Sequence, residues 1–432
     1  LKFFSMLILI ICVPATVYGA GDVLRRNIFI NGMDVSGMGY EAALAALSAR
    51  FVFDGEIVLV ADGARHAFAL ADFGAGYDFI PALDAAMEAS MGGGLFGGIR
   101  RLFGGMRRLD FDAEYVFCEA AIWDAINQVA QKTKTAPIEP TMRRNRGRFE
   151  ITDHRPGREI DGDFVHSRMW DFLARGLSAE IEIRFIDIPT NHTRADFERA
   201  CDLLATHATP YLAQYTNRTT NLKVANNFIH NSLILPGEVF STSAAMRPRI
   251  PENGYVEGGM IIDGQPAQGY GGGICQIAST LYMAALLAEL EIIERAAHSL
   301  MVEYMPPATD ATIAQGLIDL KFRNNTGAPI LIESILRNGR HTVNIYGAET
   351  RPAGRSIAFE PRLIRETPPP PEIILRDPEI PPGWMRILAP ATPGREYELY
   401  KLIYIDGKLT DEKRVNISKY RPIQGVRAYG RE

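Results

Sequence analysis

Three consecutive glycines, Gly271, Gly272 and Gly273, run directly into Ile274-Cys275-Gln276 and on into Ile277-Ala-Ser279-Thr280-Leu281-Tyr-Met-Ala-Ala-Leu-Leu. Glycine permits backbone turns and close approaches that a Cβ forbids, so the triplet predicts a sharp turn with another group packed on it. Ile277, Leu281, Ala284, Ala285 and Ala288 recur at spacings of three and four, which predicts a helix opening at the cysteine. A thiol in a helix's first turn faces free N–H groups and the positive end of the dipole, and both favour the thiolate. His298 follows in Arg295-Ala-Ala-His298-Ser299, and Asp310 in Pro307-Ala-Thr-Asp310. Cys, His and Asp in that order can supply a nucleophile, a base and an orienting acid. Gln276, or the N–H groups of the helix start, would then face an oxyanion. The same residues also admit a structural reading: a cysteine packed under a glycine turn, with His298 and Asp310 as hydrogen-bonding turn residues.

At 432 residues the chain has room for two to four domains, and its 47% hydrophobic content suits globular structure. A net charge of -5 with no domain-wide basic surplus argues against nucleic acid as the partner. One local basic cluster, Arg100, Arg101, Arg107 and Arg108, is read as a solvated face or as a contact for an anionic polymer or lipid surface. Residues 1–19 carry a short apolar run, Met6 to Val13, followed by Pro14 and small residues. That pattern predicts a signal peptide, or else an N-terminal membrane anchor, and an extracellular, cell-surface location. Export leaves Cys118, Cys201 and Cys275, an odd number. Cys118 and Cys201 fall in stretches that read as helical and apolar-periodic, where a cysteine acts as a small hydrophobe. The histidines are scattered without ligand spacing, so no metal and no cofactor is expected.

Along the chain, strands at 56–61 and 66–71, helices near 40–50, 81–91, 118–132 and 163–176, and one alternating strand at 181–188 compose an N-terminal α+β region. A helix is expected at 194–206. Strands follow the glycine-rich core at 316–323, 328–335 and 341–347. The proline-rich residues 366–382 read as an extended linker. Beyond them, alternating residues on both sides of Asp406-Gly407 predict a β-hairpin.

Taken together, the chain resembles the VanW family. The resemblance rests on Asn226, Pro236-Gly237-Glu238-Val-Phe240-Ser241, Gly254-Tyr255, Gly271-Gly-Gly-Ile-Cys275-Gln276 and Ser279-Thr280-Leu281-Tyr282. It continues through Glu294-Arg295, His298-Ser299, Asp310-Ala311-Thr312, Asp319 and Phe322-Arg-Asn324-Asn325. Pro306-Pro307-Ala308 departs from a glycine more usual ahead of the aspartate. Residues 22–190 look like the YoaR-type peptidoglycan-binding region that often precedes a VanW domain, and the tail weakly resembles the glycine-patterned G-five domain. The resemblance implies an α+β multidomain protein: a signal peptide or anchor (1–19), a wall-binding region (22–190), a central α/β VanW domain with its cysteine helix against a sheet (195–350), a linker (366–382) and a small β tail (383–432). It implies a cell-wall setting, linked by name to vancomycin-resistance clusters, with peptidoglycan or another wall glycopolymer as partner. It does not imply a reaction. For substrate binding the family string offers Asn226, Ser241, Tyr255, Gly271, Gly272, Gly273, Ser279, Thr280 and Arg295. Two functions follow: a cysteine hydrolase or transpeptidase acting on stem peptides, or a non-catalytic wall-binding protein whose glycine loop is structural.

Overall fold

The computed structural model describes residues 18–19, 21–91, 108–262 and 265–430. Residues 1–17 of the expected signal segment, and Arg100, Arg101 and Arg107 of the basic cluster, lie outside them. The chain is α+β and divides into two compact units.

The first unit comprises residues up to 137 together with 156–189. Strands Glu56–Ala61 and Ala64–Ala69 form a hairpin through Asp62 and Gly63, both with positive φ, as a primed turn requires. Ala179–Glu182 adds in parallel to Glu56–Ala61. The apolar stripes of helices Glu119–Thr133 and Gly162–Leu173 meet this sheet in a core of Ile57, Leu59, Ile122, Ile126, Val129, Val165 and Met169. A separate core, with Ile28, Ile30, Leu47, Leu83 and Met87, lies between helices Tyr40–Arg50 and Ile80–Met91 and the strand Ile28–Ile30. The single strand expected at 181–188 is broken. Its halves, Ala179–Glu182 and Phe185–Ile188, pair in different sheets, and Arg184 turns aside to ion-pair with Asp161.

The second unit comprises 138–155 and everything from 190 onward. The hairpin Met142–Asn145 with Arg148–Ile151, inside the expected wall-binding region, therefore groups with this unit. Arg144 fixes it there, pairing with Glu333 and stacking over Tyr346. The central sheet is antiparallel, in the order Asp202–Pro210, Arg340–Gly347, Ile330–Arg337, Ser232–Ile234. The helix expected over 194–206 is short, Arg194–Glu198, and the chain then enters the first of these strands. Leu204 and Ala205 are buried there, and strand pairing outweighs the local helical spacing. Cys201 consequently precedes a strand, and Cys118 is the exposed N-cap of Glu119–Thr133; neither is a mid-helix core residue.

Helices Thr216–Ile229 and Cys275–Leu287 pack on this sheet. From Gln276 to Leu286 every residue of the second helix is buried, so it is a central core helix covered on all sides rather than an amphipathic one.

The tail begins earlier than 383. Arg355–Thr367, Gly394–Ile405 and Lys408–Tyr420 form one antiparallel sheet, turned through Asp406-Gly407 as the sequence predicts. Ile373–Asp377, from the middle of the proline-rich stretch, pairs in parallel with Val426–Gly430. Pro368 to Pro371 fall between Arg355–Thr367 and Ile373–Asp377, and Pro378, Pro381 and Pro382 follow the latter strand, so none of these is asked for a ladder hydrogen bond inside either strand.

Candidate active site

The cysteine helix starts where the glycine turn ends. Gly272 lies against the backbone of Gly258: a Cβ on it would come within 2.5 Å of the Gly258 carbonyl group. Gly273 has φ +96°, a conformation other residues adopt at a cost. Asn221 clamps this contact, its Nδ2 donating to the carbonyls of Val256 and Gly272, 3.0 and 3.2 Å. The thiol of Cys275, half-buried, lies 3.5 Å from Thr312 Oγ1 and 3.6 Å from the Ile313 carbonyl oxygen.

His298 reaches the same point from the segment after strand Glu291–Glu294. A short bridge between Ala296 and Thr312 draws this segment alongside residues 310–313. On one side the imidazole lies close enough to Cys275 to favour its thiolate. On the other, its Nδ1 lies 2.7 Å from Asp310 Oδ2, which also accepts the His298 backbone N–H at 2.7 Å. Asp310 is fully buried, and its second oxygen accepts from Tyr420 Oη at 2.6 Å and Arg295 Nη2 at 3.3 Å. Arg295 is itself fixed, donating to the Asp310 carbonyl at 2.7 Å and to Ser418 Oγ at 2.9 Å.

These contacts set the charges. Burial alone would push the Asp310 carboxyl up, but the hydrogen bonds from His298 and Tyr420, with the charge of Arg295, hold it below its ordinary value. Burial would likewise keep the imidazole neutral, yet Asp310 and the thiol raise it to about 9. Burial opposes the thiolate too, and the hydrogen bond and charge of His298, with the Ile313 and Thr312 contacts, bring Cys275 down to about 7. A thiolate–imidazolium pair is the favoured state between those values.

The structure thus brings Cys275, His298, Asp310 and Arg295 together, with Ser279 one turn along the helix. Ser279 Oγ accepts from the Ala311 N–H at 3.0 Å and donates to its carbonyl at 2.9 Å, pinning the aspartate loop. Other residues of the family string have different duties. Gln276 spends both amide protons on Thr209 Oγ1 and the Pro210 carbonyl, 2.8 and 2.7 Å, and its oxygen accepts from Arg218. No donor remains for an oxyanion, which corrects that expectation; the Cys275 N–H has no backbone acceptor among the described residues. Thr280 is buried against Thr209, and Tyr255 is a core residue bonded to the Met246 carbonyl. Ser241 caps a short helix and binds Asp319, while Asn226 binds Ser334. Three residues at the site were not singled out by sequence: Arg218, Tyr304 and Tyr420 in its role toward Asp310. Arg218 lies in a polar run that gave no signal. Among the described residues, no group of three His, Cys, Asp or Glu side chains could hold a metal, and no helix is long and apolar enough to cross a membrane.

Residues 217–346 match the family described as "VanW like protein". The chain carries a VanW domain. The match takes in Cys275, His298 and Asp310. Residues 67–166 match the family described as "Putative peptidoglycan binding domain". The chain is 29% identical over 232 residues to the uncharacterized protein YoaR of Bacillus subtilis (strain 168), covering 52% of this chain and 73% of that one. It is 36% identical over 137 residues to the vancomycin B-type resistance protein VanW of Enterococcus faecalis (strain ATCC 700802 / V583), covering 30% of this chain but only 49% of that relative. Among solved structures, the G5 domain of IgA1 protease is similar at 15% identity, covering 18% of this chain and 93% of that one, with a TM-score of 0.13. HP0197-G5 is similar at 18% identity, covering 17% and 99%, with a TM-score of 0.11. The two domain matches mark a cell-wall-associated protein.

Proposed function

We propose that this is an exported cell-envelope protein that binds peptidoglycan and cleaves or exchanges amide bonds of its stem peptides through Cys275. The observation that carries the reading is the chain of contacts from Cys275 through His298 to a fully buried, fourfold hydrogen-bonded Asp310. A core residue needs no such relay, and a thiol lowered to about 7 against the cost of burial is a reactive one.

The thiolate attacks the carbonyl carbon, forming a C–S bond and a tetrahedral oxyanion that the Cys275 N–H faces at the helix start. As the C–N bond breaks, His298 gives its proton to the departing amine. The thioester then yields to water, or to the amine of a second peptide, with His298 taking the proton of the attacking group. Asp310 keeps the imidazole oriented and favours its charged form throughout.

The test is mass spectrometry of purified sacculi and soluble stem peptides incubated with the full chain and with Cys275→Ala. A new peptide terminus or crosslink made only by the native protein supports the reading, as does a thioester adduct on Cys275. Unchanged peptides and no adduct, with the protein still co-sedimenting with sacculi, would leave the second function: a non-catalytic wall-binding protein.

A further inference from the structure

A groove of about 560 Å³ opens beside the glycine turn. Gln214, Tyr215, Asn217 and Arg218 form one wall, and Gly259 and Gln268 of the hairpin Glu257–Ile262 with Gln265–Tyr270 form the other. Amides, hydroxyls and an exposed tyrosine ring line it, and among the described lining residues Arg218 is the only charged side chain.

Arg218 is held in place without being neutralised. Its aliphatic stem lies over Gly273, where a Cβ would come within 2.6 Å of Cγ. Its Nη2 donates a 2.6 Å hydrogen bond to Gln276 Oε1, and Gln276 is anchored through its own amide protons. No carboxylate among the described residues pairs with it; burial lowers its affinity for a proton, and the one charge-bearing group found acting in the other direction is the Tyr304 hydroxyl. Tyr304 Oη lies 3.2 Å from Ser279 Oγ, one helical turn beyond Cys275, and the charges of both Cys275 and Arg218 act on it. A half-buried guanidinium with only neutral partners costs free energy that a bound anion would offset. Such a planar fork suits a carboxylate in particular.

We propose that Arg218 is the carboxylate-binding residue of this site, and that the groove takes peptides ending in a free carboxylate close to the bond Cys275 attacks. The proposal rests on the thiol reading for the identity of the bond, but the binding it describes does not depend on turnover. Gln276, next in sequence to the nucleophile, fixes the distance between the two functions. Its contribution is to hold Arg218, which gives a reason for its burial and its fully used amide.

The experiment uses the full chain carrying Cys275→Ala and fluorescein-labelled stem peptides ending in D-alanine, as free acid and as C-terminal amide. Anisotropy titrations should show the acid binding at least about tenfold more tightly, with the preference shrinking as salt rises. Arg218→Gln should abolish the preference with an unchanged melting temperature, and Arg218→Lys should keep part of it. Equal binding of acid and amide, absence of binding by both, or an undiminished preference in Arg218→Gln would each overturn the proposal. A carboxylate preference in a protein whose native form turns over no peptide would uphold the anion site while defeating the thiol reading.

Discussion

The hydroxyl of Tyr420 donates a 2.6 Å hydrogen bond to Asp310 Oδ1 and accepts the Ala308 N–H at 2.7 Å, so a strand of the β tail holds the aspartate loop of the VanW domain. Ser418 and Asn416 on the same strand bind Arg295 and Tyr282. A chain cut before this strand would leave Asp310 buried with part of its hydrogen bonding unmet, a costly state for a carboxylate.

Tyr420→Phe should therefore cost about 2 kcal/mol of stability, the usual scale for a hydrogen bond to a charged group. It should also raise the pH at which Cys275 becomes reactive, because a less firmly held Asp310 favours the imidazolium less. Thermal unfolding and a pH profile of iodoacetamide labelling read the two effects separately. Lost stability with an unmoved profile would reduce Tyr420 to a packing residue.

Labelling of Cys275 should rise as pH passes through about 7, where the thiolate forms. Cys118 is exposed and will label as well, so the measurement belongs in a Cys118→Ser background. His298→Gln removes the partner that favours the thiolate, and the rate at pH 7 should fall at least about tenfold as the thiol returns toward its ordinary range. Peptide turnover should instead be bell-shaped. It rises with the thiolate and falls as pH passes through about 9, where His298 loses the proton the leaving amine needs. A thiol that labels only after unfolding would end the enzyme reading.

The glycine turn offers a sharp steric contrast. Gly272→Ala places a methyl within 2.5 Å of the Gly258 backbone, neither side of which can move without opening the turn, and about 1–3 kcal/mol of destabilisation is expected. Gly259→Ala, one residue further along the hairpin, meets nothing within 4 Å and should melt like the native protein. Equal melting temperatures for both variants would mean that the close approach at Gly272 is not maintained in solution.

What the sequence disclosed follows from what is local. The helix at Cys275, the helix Glu119–Thr133 and the hairpin at Asp406-Gly407 are written in spacing and turn residues within one segment. The strand Asp202–Pro210 was hidden because its pairing with Arg340–Gly347 spans more than a hundred residues, and the local pattern favoured a helix. At the site, Cys275, His298 and Asp310 stood out by residue type and order. Tyr420 and Arg218 did not, since one tyrosine in a tail strand and one arginine in a polar run acquire meaning only through the groups they touch. Gln276 misleads for a related reason: an amide beside a nucleophile suggests a donor, and only the fold reveals that Thr209 and Pro210 already use it.

His341 is fully buried on the central sheet, its Nε2 2.9 Å from Ser334 Oγ, and burial with the neighbouring His207 pulls it down to about 3. In the unfolded chain it titrates near 6.5, so below that pH the unfolded state binds a proton that the folded state refuses. Its effect is therefore absent above pH 6.5, and stability is lost progressively as pH falls from 6.5 toward 3. His341→Gln can keep a hydrogen bond to Ser334 while removing the titration. It should flatten the fall in melting temperature between pH 6.5 and 4, even if it is less stable at pH 8. Parallel curves for the two proteins across that range would show that His341 takes up a proton as readily folded as unfolded.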